Sequence, residues 1–421
     1  SQSPMNLRRR SKNDWGRLDM RFNLWEDCNR VPLTELLSFI VDNRGKTVPT
    51  APSGHKLIAT NCVTNNTLFP VYEKIRYLSE ETYQTWFRAH PIPGDILFVN
   101  KGTPGRVCLV PDPVDFCIAQ DMIALRADES KIYPKYLFAV LRSREIQQQI
   151  YNTNVGDVIP HFKKQFLNQL LIPIPERSIQ ESIGDLYYVL SLKAERNKKI
   201  NDNLEQQAQS YFQELFVDNA DPEWAIGTIS DLGTVVGGST PSKAKPEYYT
   251  ESGIAWITPK DLSINKSKFV SHGENDITEL GLKNSSAAIM PRGTVLFSSR
   301  APIGYIAIAA GEVTTNQGFK SVVPKPEIGT PFVYFFLKNT LPVIEGMASG
   351  STFKEVSGST MKNVPAVIPD VETLAKFSDF CAPIFAQQRI LEEQNQSLAT
   401  LRDNLLPKLM SGEIDVSAVQ L

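Results

Sequence analysis

Two stretches of the chain carry residues at alternating four- and three-residue spacings, the signature of a helix with one packed seam. In 178–216 the series is Ile179, Ile183, Leu186, Leu190, Lys193, Asn197, Ile200, Leu204, Gln207 and Tyr211. In 371–409 it is Phe377, Phe380, Ile384, Gln387, Leu391, Gln394, Leu398, Leu401 and Leu405. The spacing predicts two long helices, the first roughly 58 Å long at about 1.5 Å per residue. Their apolar seam is expected at Ile183, Leu186, Leu190, Ile200, Leu204, Ile384, Leu391, Leu398 and Leu405, the two helices packing as an antiparallel coiled coil. Polar seam positions such as Lys193, Asn197, Gln207, Gln387 and Gln394 fix register and orientation at a cost in stability.

The blocks between the helices read differently. Residues 31–177 hold short apolar runs broken by Gly and Pro, such as IPGDILFVNKGTPGRVCLV (92–110) and FCIAQDMIAL (116–125), then the helical stretch 133–151. This is the pattern of strands joined by tight turns, an α+β domain. Residues 218–370 repeat it. Gly94, Phe98, Lys101 and Gly105 recur at one constant offset as Gly293, Phe297, Arg300 and Gly304. Gln120 recurs as Gln317, PFVYFFLKN (331–339) matches the helix after Tyr133, GSTFKEV (350–356) matches GDVIPHF (156–162), and PAVIP (365–369) matches LIPIP. The chain therefore divides into a basic segment 1–30, a first globular domain 31–177, a helix 178–217, a second globular domain 218–370, a helix 371–409 and a tail 410–421. A unit this long is no solenoid repeat. It predicts two similar domains separated by two long helices, related by a pseudo-two-fold axis if the helices are antiparallel.

Composition narrows the function. The length allows two or three domains. No stretch nears the ~18 apolar residues that span a bilayer. The five Cys form no CxxC pair and the four His no HExxH, so neither a disulfide framework nor a metal site is expected, and a cytoplasmic setting fits. A net charge of −2 argues against a protein that coats nucleic acid by charge alone. Only residues 1–30, with Arg8-Arg9-Arg10-Ser11-Lys12, are clearly basic.

Enzyme signatures are missing. RGKT (44–47) looks like the end of a phosphate-binding loop, but the first Gly would fall on Ile40. There is no GxGxxG, no GxSxG and no NPP[YF] run. The matched turns KGTPGR (101–106) and SRAPIG (299–304) place a cation beside small or cyclic residues, with Gly105 and Gly304 as architectural positions. Lys101, Thr103, Arg106 and Arg300 are candidates for DNA contact, because Arg can bond guanine O6 and N7 together and Lys offers a point charge. Lys163, Lys164 and Lys354 follow the paired Phe162 and Phe353 and could lie along a DNA backbone, and Thr258 and Lys260 sit in the polar loop ITPKDL (257–262). Gln120 and Gln317, flanked by apolar residues, are expected to satisfy buried backbone groups.

Taken together, GGSTPSKAKPEYY (237–249), GIAWITPKDL (253–262), PRGTVLFSSRAPIG (291–304), TNQGF (315–319), GSTFKEVS (350–357) and LLPKLMSGEI (405–414) resemble the specificity subunit of type I restriction–modification enzymes. PGDILFVNKGTPG (93–105), GDVIPHF and LLIPIPERSIQ (170–180) are similar to the same family. The spacing Pro175-x-x-x-x-Gln180 at the first long helix fits the family, whereas the second copy runs Pro369 to Leu374. The resemblance implies a non-catalytic subunit whose target-recognition domains each read one half of a bipartite, asymmetric DNA site. It implies helices that set the spacer and dock two methyltransferase subunits, with restriction subunits joining them. S-adenosylmethionine and ATP with magnesium then belong to those partners, and this chain needs no cofactor. The competing readings are a self-contained DNA methyltransferase or nuclease with an unrecognised active site, and a protein scaffold that never touches DNA.

Overall fold

A computed structural model describes residues 23–43, 47–153, 160–300, 302–350 and 354–415; the basic cluster Arg8–Lys12 lies outside them. The chain folds into two compact units, residues 1–195 with 396–421 and residues 196–395. The boundaries fall inside the long helices. The sequence reading set the helices apart as separate segments, but each unit takes half of each, because the domain cores continue onto the helix faces.

In the first unit a four-stranded antiparallel sheet runs in the spatial order Leu37–Val41, Met122–Ala127, Ile96–Val99, Val107–Leu109. Every residue of Ile96–Val99 is buried. Successive side chains of a strand point to opposite faces, so Ile96 and Phe98 join the core under the helices while Leu97 and Val99 join a second core. That second core lies against a three-stranded sheet, Arg76–Leu78, His55–Ile58 and Phe116–Ile118. A two-stranded ribbon, Asn29–Pro32 with Leu171–Ile174, leads to the first long helix.

The second unit repeats this plan and enlarges it. Its main sheet has five strands in the order Gly233–Gly237, Lys320–Pro324, Val295–Phe297, Ile306–Ala309, Phe269–Val270, the last added in parallel. A four-stranded sheet, Tyr249–Thr250, Asn275–Ile277, Ile254–Ile257, Thr314–Thr315, packs beside it, and the ribbon is Ala225–Thr228 with Pro365–Ile368. Val295 and Phe297 face the helices and Leu296 the smaller core.

The long helices are Arg177–Gln213, continued by a π turn Glu214–Asp218, and Val371–Met410. Within the second unit Asn197 meets Gln394, Asn201 meets Gln388 and Tyr211 meets Phe377, so the two helix segments run antiparallel. Within the first, Arg402 stacks over Tyr187. The seam differs from the expected one by one residue at every second position. Ile183, Leu190, Leu204, Ile384, Leu391, Leu398 and Leu405 stay on the inner face, but Ile200 is 46% exposed and Asn201 takes its place, while Tyr187 is more deeply buried than Leu186. In the second helix Cys381, Gln388 and Arg402 are buried, whereas Phe380, Leu401 and Gln387 are exposed, and Gln394 is exposed while still reaching Asn197. Both steps from an inner residue, three or four on, reach the same side of a helix. Where both carried plausible residues, the sequence could not choose between them.

The helix starts also differ. Gln180 is buried, accepts from the Tyr133 amide at 2.9 Å and donates to the Pro175 carbonyl at 2.9 Å. The second helix has the apolar Leu374 in that position and is capped instead by Asp370, which accepts from the Thr373 amide at 2.8 Å and from the Trp224 indole at 2.9 Å.

Candidate nucleic-acid interface

Each unit carries one tight turn on the strand at the centre of its main sheet, and the two turns share one hydrogen-bond frame. In the first, Val99 N–H donates to the Arg106 carbonyl at 2.9 Å and Gly105 N–H to the Val99 carbonyl at 3.0 Å. In the second, Ser298 N–H donates to the Tyr305 carbonyl at 2.9 Å and Gly304 N–H to the Ser298 carbonyl at 3.0 Å. Gly105 and Gly304 have φ of 86° and 92°, the left-handed region where a side chain is strained. A Cβ on Gly304 would also fall 2.5 Å from Leu341.

Each turn is fastened to the segment that precedes the ribbon strand. Lys101 forms an isolated bridge with His161, and Phe162 N–H donates to the Asn100 carbonyl at 2.8 Å. Arg300 forms the same bridge with Glu355, and Val356 N–H donates to the Ser299 carbonyl at 2.8 Å. The counterpart of Phe162 is therefore Val356, also fully buried, and not Phe353, which lies outside the described residues.

The structure divides the candidate residues. Lys101, Lys163 and Lys354 are exposed, and Thr103 and Arg106 are half-buried on the first turn. Arg300 is exposed, with its Nε 3.0 Å from Glu355 Oε1. The remaining three have internal work. Thr258 caps the helix Pro259–Ile264, its hydroxyl donating to Asp261 Oδ2 at 2.7 Å. Lys260 pairs with Glu274 at 2.6 Å, and Lys164 pairs with Asp42. A hydroxyl held in a helix cap has no donor left for a base, and an ion-paired lysine must lose its partner before it neutralises a phosphate.

Other residues enter the site that sequence reasoning passed over. Strand register places Ile123 of the first unit opposite the same neighbours as Lys320 of the second, and Asp42 where the second unit has Gly237. The first unit closes this point with the Asp42–Lys164 pair. In the second, the Lys320 chain passes close to Gly237 and Gly358 and its ammonium lies 3.9 Å from Glu355. Burial lowers the pKa of Lys320, the Glu355 carboxylate pulls it back up, and Arg300 pushes it down. Gln317 is exposed, contrary to the expected buried role, and its side chain is held by the Thr240 hydroxyl. Gln120 is half-buried, and its side-chain oxygen has no hydrogen-bond partner among the described residues. The signal for Lys320 was available: it is the one charge in the strand Lys320–Pro324, directly after Phe319.

Elsewhere in the second unit lies its densest buried charge. Lys268 is 7% exposed, bonds Glu205 at 2.7 Å and Gln388 at 2.9 Å, and stands 3.6 Å from the centre of the Phe385 ring. Lys338 and the Tyr334 hydroxyl donate to the other Glu205 oxygen at 2.6 and 3.0 Å. Burial lowers the Lys268 pKa to about 8 against the pull of Glu205. Burial would raise Glu205, but Lys268 and Lys338 outweigh it and bring the carboxyl down to about 2. Glu392 accepts from the Lys268 and Phe269 amides at 2.8 and 3.0 Å. The cluster joins both helix segments to the edge strand and is a fastening, remote in sequence from the turn.

A duplicated α+β domain with a cationic turn, each copy closed by a long helix, defines a class of two-headed recognition proteins. The pattern of the type I restriction modification DNA specificity domain matches residues 43–206 and 222–401, and the chain belongs to that family, as a specificity subunit. It is 39% identical over 194 residues to the type I restriction enzyme MjaIX specificity subunit of Methanocaldococcus jannaschii, covering 44% of this chain and 45% of that one. The chain thus aligns with less than half of that relative's length. It is 23% identical over 401 residues to the HindI specificity subunit of Haemophilus influenzae, covering 76% of this chain and 86% of the relative. The crystal structure of a type I restriction-modification S subunit from M. genitalium superposes with a TM-score of 0.56 at 18% identity, over 92% of this chain and 98% of that one. Among the described residues no helix is long and apolar enough to cross a membrane.

Proposed function

We propose that each unit reads one half of a split, asymmetric DNA sequence, that the paired helices set the number of unread base pairs, and that this chain is not itself catalytic. The observation that carries this reading is the shared turn frame with unlike side chains: Lys101 and Arg106 in one unit, Arg300 and Tyr305 in the other. Two readers of different half-sites need a common scaffold and different edges to present to the major groove. The near-neutral charge adds a second point. Log affinity for DNA rises with the number of phosphates neutralised, so a chain of net charge −2 needs partners to complete the clamp. Those partners are two methyltransferase subunits, with restriction subunits joining them. S-adenosylmethionine and ATP with magnesium are bound there. The setting is cytoplasmic.

Exchanging residues 31–177 for the equivalent block of another member of the family, then sequencing methylated DNA made by the assembled complex, tests the reading. One half of the motif should change while the other half stays. A change in both halves, or tight binding of S-adenosylmethionine by this chain alone, would sink it.

A further inference from the structure

We propose that the two turns read DNA by different chemistry: Arg300 reads a guanine in the half-site of the second unit, whereas Lys101 contacts phosphate in the first. This rests on the DNA-reading function above and deepens it.

The argument starts from what holds each cation. Arg300 and Glu355 are joined twice, through the backbone bridge and through Nε to Oε1 at 3.0 Å. The ion pair at Nε tethers the planar guanidinium beside Glu355, and its fork is formed by Nη1 and Nη2. No acceptor among the described residues bonds those two nitrogens, and the side chain is 46% exposed. Two parallel donors on an exposed plane match guanine O6 and N7 in the major groove. Tethering the side chain before DNA arrives removes part of the ordering cost of binding. Lys320, 3.9 Å from the same Glu355 oxygen, balances the carboxylate. The trio therefore keeps one net positive charge, so the acid does not repel the DNA.

Lys101 has none of this. Its bridge partner is His161, two residues before exposed Lys163, and no carboxylate bonds its ammonium among the described residues. A flexible ammonium with three donors is a point charge with no preferred plane. That suits phosphate, which carries charge and no sequence information. Glu355 is in these terms a positioning residue, acting on DNA only through Arg300.

The test uses the chain assembled with its methyltransferase subunits and a pool of random DNA duplexes, with methylated sites read by sequencing and binding measured against salt. The wild-type complex should give a split motif; the absence of any such motif would overturn the DNA-reading function itself, before the variants are considered. Arg300→Lys keeps the charge and loses the fork. It should relax one guanine position of one half-site by about ten- to a hundred-fold, leaving the other half intact. Glu355→Gln, which retains an acceptor, should relax the same position less, and Glu355→Ala more. Lys101→Ala should weaken all sequences alike and lower the salt slope by about 0.9. A uniform loss with the motif unchanged in Arg300→Lys and Arg300→Ala would make Arg300 a phosphate contact and overturn the proposal. So would a base preference that moves in Lys101→Ala.

Discussion

The two units solve one problem in two ways: how to hold a recognition domain against a helix pair. The second uses buried charge, with Glu205 between Lys268 and Lys338 and with Gln388 and Glu392 on the facing helix. The first has a shallower counterpart at its helix face, where half-exposed Asp185 takes Lys135 at 2.6 Å and the Tyr133 hydroxyl at 2.8 Å. There the apolar seam continues into the core through Ile183, Tyr187, Leu406 and Leu409, and half-buried Arg142 ties neighbouring loops together. Its guanidinium lies over Phe138 and donates to the carbonyls of Thr64, Thr67 and Val107, at 3.1 Å to the first and 2.7 Å to the last. One unit thus relies on paired charges, which fail together when one partner goes, and the other on a cation that spans neutral carbonyls. The difference shows that a duplicated fold conserves its backbone frame while its fastenings diverge.

Breaking the charged fastening should have the largest effect. Glu205→Ala leaves Lys268 buried without its carboxylate and should cost about 3–5 kcal/mol, read as lost hydrogen-exchange protection in residues 196–395. Replacing Glu205 and Lys268 together by Met should recover much of that loss; a double variant as unstable as the single would mean that packing, not charge, is the cause. The pH dependence follows from the same pair. A carboxyl held below its unfolded value contributes stability above about pH 4.5, which is lost as pH falls toward about 2. Lys268, also held below its unfolded value, costs stability below about pH 8, and that cost is relieved between about pH 8 and 10.5, where the unfolded chain binds more protons. Glu205→Gln should flatten the acid arm, and an unaltered acid profile would remove Glu205 as its source.

The neutral fastening should be weaker. Arg142→Ala deprives three carbonyls of their donor and should cost about 1–3 kcal/mol, confined to the first unit and insensitive to acid. A loss matching that of Glu205→Ala would erase the contrast between the units. At the turns, Gly304→Ala should cost about 1–2 kcal/mol from backbone strain alone, and more because of Leu341. Gly102→Ala has the same strain at φ 86° but open space around it, so it should cost less. Equal melting shifts for the two would mean that the Leu341 contact relaxes freely. Smallest of all, Lys164→Ala removes a half-exposed ion pair and should change stability by under about 1 kcal/mol, with the methylated motif unaltered.

The duplication was legible because its markers are local: a buried strand, then a cation, then a glycine where φ is positive. The phase of the helix seam was not, because Leu186 and Tyr187, or Phe380 and Cys381, are equally plausible in a periodic pattern. The packing of the domain cores decides between them. Nor was the division of cations into bound and available ones. Asp42 and Lys164 are 122 residues apart, and Lys268 reaches Gln388 across 120. Charge counted along a chain cannot show which charges cancel in space. The structural role of Thr258 was hidden for another reason: a polar loop before Pro and Asp is equally a helix cap, and Asp261 sits at the spacing that closes a capping box.

The shared turn frame has a consequence for how such a protein changes over time. Its bonds run between main-chain atoms and its bends fall on glycines, so the side chains at 101 and 300, or at 106 and 305, contribute little to holding it. A substitution there alters what the turn presents while the fold keeps its margin above the stability threshold that culls most mutations. New targets are therefore within reach of single codon changes in either unit. Under the proposed function, one unit can drift while the other keeps the complex bound to half of a familiar site.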